Sequence, residues 1–219
     1  SYGSGAVIYS AIPLDYYLGG SGYSDTPEFK DVYAPNMVQF AASLILDGYD
    51  ELTGTTAAET IAGTANADLI QGGAGNDVIF GLYGNDTLNG DAGSDTIFGG
   101  SGADTLTGGA DTDYFTYSLA THSAVSSGDT ITDFDAAGDP LSSGDKIKIT
   151  DILTGTFSFL GANTVSFTGA TGGNNTEARF NDTTKLLEID ANGDATVDME
   201  ITLSAVSISN LDATDFTVI

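Results

Sequence analysis

The chain has 219 residues, of which 31 are acidic and 5 basic, for a net charge of −26. Such a surplus excludes nucleic acid and anionic membrane surfaces as partners, because both present like charge. There is no cysteine to build a disulfide framework, and no apolar run approaches the roughly 18 residues that a membrane-spanning helix needs, so no membrane insertion is expected.

Residues 1–44 differ in character from the rest of the chain. "GAVIYSAIPLDYYLGG" is an apolar run that predicts a strand, interrupted at Pro13 and ended by the Gly19–Gly20 pair. Val38, Ala41, Ala42 and Ile45 then recur at helical spacing, with Pro35 near the start and Gly48 as the stop. This strand–helix segment is expected either to cap a repeat array downstream or to close an upstream domain. Ser1 stands where a methionine would begin a whole chain and no cleavable leader comes after it, as expected of a fragment of something longer.

From about residue 45 to 116 the chain repeats itself every nine residues. Glycine opens each repeat at Gly54, Gly63, Gly72, Gly81, Gly90, Gly99 and Gly108. The sixth position reads Glu59, Asp68, Asp77, Asp86, Asp95, Asp104 and Asp113, and the eighth reads Ile61, Ile70, Ile79, Leu88, Ile97, Leu106 and Phe115. An earlier stretch, "ILDGYDELT", lacks the opening glycine but keeps Gly48, Asp50 and Leu52 in register. A step of nine fits neither a helical face nor simple strand alternation. The glycines instead predict a turn over the first six residues, and the β-branched and aromatic residues a short strand over the last three. Two repeats then complete one coil of a solenoid, with the eighth positions stacked into a thin core.

That stacking places the acids in two columns. Asp50, Asp68, Asp86 and Asp104 fall on one edge, and Glu59, Asp77, Asp95 and Asp113 on the other. Neighbouring strands lie about 4.8 Å apart. Two carboxylates at that spacing repel by roughly 3 kcal/mol at an effective dielectric near 20. A hard divalent cation between them reverses the sign. Calcium takes about six to eight oxygens, and glycine-rich turns offer backbone carbonyls to complete the shell, whereas magnesium demands a tighter octahedron. The expected metal ligands are therefore those eight acids, together with turn residues Gly63, Gly72, Gly75, Gly81, Gly84, Gly90, Gly93, Gly99, Gly102 and Gly108.

Beyond the array, Asp129, Asp135 and Asp145 read as turn and solvent-facing residues. Asp133, beside Phe134, is the exception expected to close the last coil and join the metal ligands. "DANGDATVD" sets Asp190, Asn192, Asp194 and Asp198 at EF-hand-like spacing, but Ala195 and Ile201 replace the glycine and glutamate of such a loop, so a hairpin turn is the plainer reading. His122 is the only histidine, and there is no H-E-x-x-H. The serines of "SLATHSAVSSGD" lack a G-x-S-x-G elbow. No catalytic constellation is expected, which implies a non-enzymatic role.

The pattern glycine-glycine-x-glycine-x-aspartate-x-hydrophobic-x resembles the calcium-binding repeat of RTX proteins. The stretch from "DTDYFTYSLATHSAVSSGDTITDFDAAGDPLSSGDKIKI" onward, with the closing "LEIDANGDATVDMEITL", is similar to the C-terminal region of serralysin-type secreted proteins. "AAGDPLSSGD" stands out as an insertion relative to that pattern. The resemblance implies an all-β fold: a parallel β-roll over 45–116, then a β-sandwich-like tail over 117–219. It also implies a secreted or surface protein of a Gram-negative bacterium that passes a type I secretion channel. Asp215, followed by Phe216, Val218 and Ile219, matches the acidic-then-hydrophobic end of an uncleaved type I export signal; the alternative is a last strand. The function implied is a calcium-binding module that folds outside the cell. Other readings are the tail of an exoenzyme, protease or lipase, whose catalytic domain lies upstream, or the anchor of an adhesin or surface-layer protein.

Overall fold

In the computed structural model, residues 50–135, 144–151, 155–162, 166–168, 175–206 and 209–218 are described. The strand and helix expected within residues 1–48 lie outside them. The step of nine becomes half a coil, as the glycine–aspartate–hydrophobic spacing requires. Strands β1 (Asp50–Thr53), β3 (Asp68–Gln71), β5 (Thr87–Ala92) and β7 (Thr105–Ala110) stack in parallel in one sheet. Strands β2 (Thr60–Ala62), β4 (Val78–Tyr83), β6 (Thr96–Ser101) and β8 (Tyr114–Tyr117) do the same in a second sheet.

The register follows the repeat without a slip. Leu52 pairs with Ile70, Ile70 with Leu88 and Leu88 with Leu106; opposite them, Ile61, Ile79, Ile97 and Phe115 stack in turn. All eight are buried. Each such side chain contributes about 1.5–3 kcal/mol on burial. The stack is only one residue wide from each sheet, so every coil depends on its neighbours to cover it.

Both sheets run on past residue 116. Strand β9 (Asp129–Ile131) adds in parallel to β7, and β10 (Lys146–Ile149) adds in parallel to β8. On β9 lies β14 (Met199–Leu203), followed by β13 (Leu186–Asp190), β12 (Thr176–Asn181) and β11 (Phe157–Ala162), which gives a nine-stranded sheet. On β10 lies β15 (Phe216–Val218), which completes a six-stranded one. The strands of the tail thus extend the sheets of the roll. They do not pair only among themselves, and one hydrophobic cluster runs from Leu52 to Phe216. At the far end Phe216 packs on Phe157 and Phe159, with ring centroids 4.9 and 5.3 Å away, and so joins the last strands of the two sheets. Among the described residues, helix is confined to the 3-10 turns Ala120–Ser123 and Ala213–Asp215, and no helix is long and apolar enough to cross a membrane.

Candidate metal centre

The sixth-position aspartates sit where each turn enters its strand, and the sheet register stacks them. Within a column, the amide of one aspartate donates to Oδ1 of the aspartate one coil later. Asp68 donates to Asp86 over 2.8 Å, Asp86 to Asp104 over 2.9 Å, Asp77 to Asp95 over 2.7 Å and Asp95 to Asp113 over 2.8 Å. These side chains are almost wholly buried. Their second oxygens are another matter: Oδ2 of Asp77, Asp86, Asp95, Asp104 and Asp113 is buried without a hydrogen-bond partner.

An ionised oxygen in that position is costly unless something compensates it. Burial, above all, pushes Asp86 up to about 7, with the charges of Asp104 and Asp68 adding to it. Burial likewise takes Asp95 to about 6 and Asp113 to about 8, and raises Asp77 and Asp104. No basic side chain answers these charges: the two ion pairs among the described residues are Arg179–Glu188 and Lys185–Asp182, both in the tail.

The first-position glycines shape the space into which these oxygens point. A Cβ on Gly90 would lie 2.2 Å from Oδ2 of Asp95 and 2.5 Å from the carbonyl oxygen of Gly108. The same pairing of a carboxylate and a carbonyl oxygen recurs at Gly63, Gly72 and Gly81, while Gly99 and Gly108 border Oδ2 of Asp104 and Asp113. The fourth-position glycines Gly75, Gly84, Gly93 and Gly102 all have positive φ, between 122° and 143°. A Cβ on Gly93 would come 1.9 Å from the carbonyl oxygen of Gly75 in the preceding coil. In the four repeats that open at Gly72, Gly81, Gly90 and Gly99, glycine is thus required twice, once for the oxygen-lined space and once for coil-to-coil approach.

Carboxylate and carbonyl oxygens gathered around a missing side chain form the donor set of a hard cation, and calcium fits it. Among the described residues no three acidic or imidazole side chains converge on one point, so backbone carbonyls must supply the remainder of each shell. The aspartates and first-position glycines would hold the ion, which would neutralise the buried charge.

The family model for the RTX calcium-binding nonapeptide repeat (4 copies) matches residues 53–82 and 80–115. Residues 53–115 are RTX calcium-binding repeats. Among solved structures, the AlgE6R3 subunit of the Azotobacter vinelandii mannuronan C5-epimerase is similar at 24% identity and TM-score 0.37, over 80% of this chain and 82% of that one. The AlgE6R2 subunit of the same enzyme is similar at 22% identity and TM-score 0.36, over 77% of this chain and 92% of that one. No curated protein matches the chain.

The remaining candidates in the RTX array divide sharply. Asp50 opens β1 opposite Asp68. Glu59 has both oxygens engaged by Thr55, whose amide donates over 2.6 Å and whose hydroxyl donates over 2.8 Å. Oδ2 of Asp68 accepts the Thr64 amide at 2.6 Å. Threonine occupies the second position in these two repeats, where Gly73, Gly100 and Gly109 stand in others, and it returns a donor to the acid of its own repeat. Asp133 accepts the amides of Gly108 and Gly109 at 3.0 and 2.9 Å, clasping the last turn of the array.

Two acids were hidden by their spacing. Asp129 and Asp145, read from sequence as solvent-facing, are 0% and 3% exposed. They continue the columns: the Asp104 amide donates to Oδ1 of Asp129 and the Asp113 amide to Oδ1 of Asp145, each over 3.0 Å. The signal was present in "DTI" and "DKI", which keep the aspartate two residues before an isoleucine. What failed was the step, since 25 and 32 residues replace the usual 18.

The other sequence candidates fall elsewhere. In "DANGDATVD", Asp190 accepts the Gly193 and Ala195 amides at 2.7 Å each, and Asp198 accepts that of Ala191 at 2.8 Å. That stretch is the turn of the β13–β14 hairpin, its acids occupied by its own backbone. His122 lies in the first 3-10 turn, half-buried, with burial lowering its pKa.

Proposed function

We propose that this chain is a calcium-triggered folding module of a type I secreted protein, unfolded where calcium is scarce and folded outside the cell. The observation that carries the reading is the pair of aspartate columns, in which buried carboxylates lack a partner on one oxygen while carbonyl oxygens stand beside them. Without a cation the columns oppose folding; with one they link every coil to the next. Calcium bound only by the folded chain stabilises it by roughly 2.7 kcal/mol per site at 100 times the dissociation constant.

Export supplies the reason for such a switch. A chain that must pass a channel unfolded benefits from a fold that requires an ion found on the far side. The residues "DFTVI" serve as the export signal in this reading and, once outside, Phe216–Val218 among them form strand β15. Residues 1–44 act as a separate N-terminal segment, and the tail that begins at residue 117 caps the roll. The module itself performs no catalysis, and any enzymatic or adhesive activity resides in parts of the protein upstream.

Circular dichroism with calcium and with chelator is the deciding experiment. Millimolar calcium should produce the β spectrum and chelator should abolish it. A spectrum that ignores chelation would refute the switch.

A further inference from the structure

Beyond the repeats, the pattern of free oxygens places the two ends of the metal columns. Among the described residues, six carboxylates keep a buried Oδ2 without a partner: Asp77, Asp95 and Asp113 in one column, Asp86, Asp104 and Asp129 in the other. Five lie in the RTX repeats. Asp129 lies outside them, past a 25-residue step, yet it is fully buried and in register, with Thr130 paired to Thr105 just as Thr105 pairs to Thr87.

The acids just beyond this set are all served by protein donors. Glu59 and Asp68 are held by Thr55 and Thr64. Asp145 accepts the Asp113 amide on Oδ1 and the Asp135 amide, 2.9 Å away, on Oδ2. At the end of the other column the Asp129 amide finds no further acid. It donates to the Ser123 hydroxyl over 2.8 Å, and that hydroxyl donates to the Glu200 carbonyl oxygen. A neutral group thus stops the column after Asp129.

We propose that Asp129 is a calcium ligand, the last of its column, while Glu59, Asp68 and Asp145 are closures held by the chain's own donors. The metal-bearing part of the roll is therefore offset from the repeats: it starts at Asp77 and Asp86 and ends at Asp113 and Asp129. The inference rests on the calcium reading above. The competing partner of the Asp129 carboxylate is the buried Tyr117 hydroxyl, whose pKa is raised by burial and then by the charge of Asp129 and hydrogen bonding to it, although the pair falls outside strict hydrogen-bond geometry.

Calorimetric titration with calcium of the full chain, Asp129→Asn and Asp145→Asn separates these readings. Asp129→Asn should take up one calcium fewer per chain, and Asp145→Asn the full number. A full complement at unchanged affinity in Asp129→Asn would assign its oxygen to Tyr117 and overturn the proposal, as would an equal loss in Asp145→Asn. A native chain that takes up no calcium would defeat the calcium reading itself, which is a distinguishable result. Terbium gives a second measurement that leaves Asp129 intact should Asp129→Asn fail to fold. Tyrosine-sensitised terbium emission should fall in Tyr117→Phe; emission unchanged by that substitution would overturn the proposal.

Discussion

The Asp77 amide donates to Oδ1 of Asp95 across 2.7 Å, while Oδ2 of Asp95 is buried with no partner. One carboxylate therefore both fastens the coil before it and lacks a counter-charge of its own. Asp95→Asn should remove the metal contact while keeping a carbonyl acceptor for the Asp77 amide. Loss of one site at calcium 100 times its dissociation constant predicts a fall of about 2.7 kcal/mol in stability. Glu59→Gln, at an acid already held by Thr55, should cost less than about 1 kcal/mol. Calcium-dependent thermal melts of the two variants check this, and equal losses would count against the column assignment.

Acid should partly replace calcium. An unfolded aspartate titrates near 3.8, whereas burial lifts Asp86 to about 7, Asp113 to about 8 and Asp129 to about 8 in the fold. Between those values the folded chain binds more protons than the unfolded one, so rising pH drains stability from the calcium-free fold. The loss is complete above about 8 and absent below 3.8. Chelated protein should gain β signal as pH falls from 8 to 5, and the calcium midpoint should tighten as pH rises. A flat response in chelator would contradict the burial of these acids.

Backbone conformation offers a test independent of metal. Gly93→Ala would place a methyl group at φ 122° and 1.9 Å from the Gly75 carbonyl oxygen. It should cost more than about 2 kcal/mol even in saturating calcium. Leu82 shows the converse, a side chain 44% exposed at φ 80°. Leu82→Gly should be neutral or stabilising by roughly 0.5 kcal/mol, since relief of strain outweighs the added chain entropy. Denaturant midpoints in calcium decide both.

The closing strand separates folding from export. Phe216→Ala removes the ring that packs on Phe157 and Phe159 and should cost about 3 kcal/mol. Its calcium stoichiometry should be unchanged, because no column residue is touched. Deleting 212–219 should go further and abolish passage through a type I channel, measured as protein in the medium. Undiminished secretion of the truncated chain would leave β15 as a strand alone.

The repeats were legible because one rule served every position: the apolar eighth residue faced the core and the acidic sixth the column, from Leu52 to Phe115. Asp129 and Asp145 escaped because an unbroken step was the only guide to register, and the loops before them broke it. The spacing of the acids treats Asp68 and Asp86 alike, and what separates them is the second-position residue, Thr64 in one repeat and Leu82 in the other, of which only the threonine brings a local donor. The β13–β14 hairpin was legible from the turn between two alternating strands, whereas the parallel addition of β14 to β9 is a tertiary contact that alternation cannot specify.

Every amide in the columns points the same way, from the earlier coil to the later one. A coil therefore finds its acceptor only when its successor is already in place. The antiparallel ribbon of β12 to β14 needs no repeat to form its own hydrogen bonds, and β14 offers β9 a finished edge. The side-chain acceptors of each coil thus lie on its successor, and the last of them, Asp129 and Asp145, are supplied from beyond the repeats. A roll cut short before Asp129 and Asp145 would leave the buried Asp104 and Asp113 amides without acceptors, so the repeats are incomplete without the tail that comes after them.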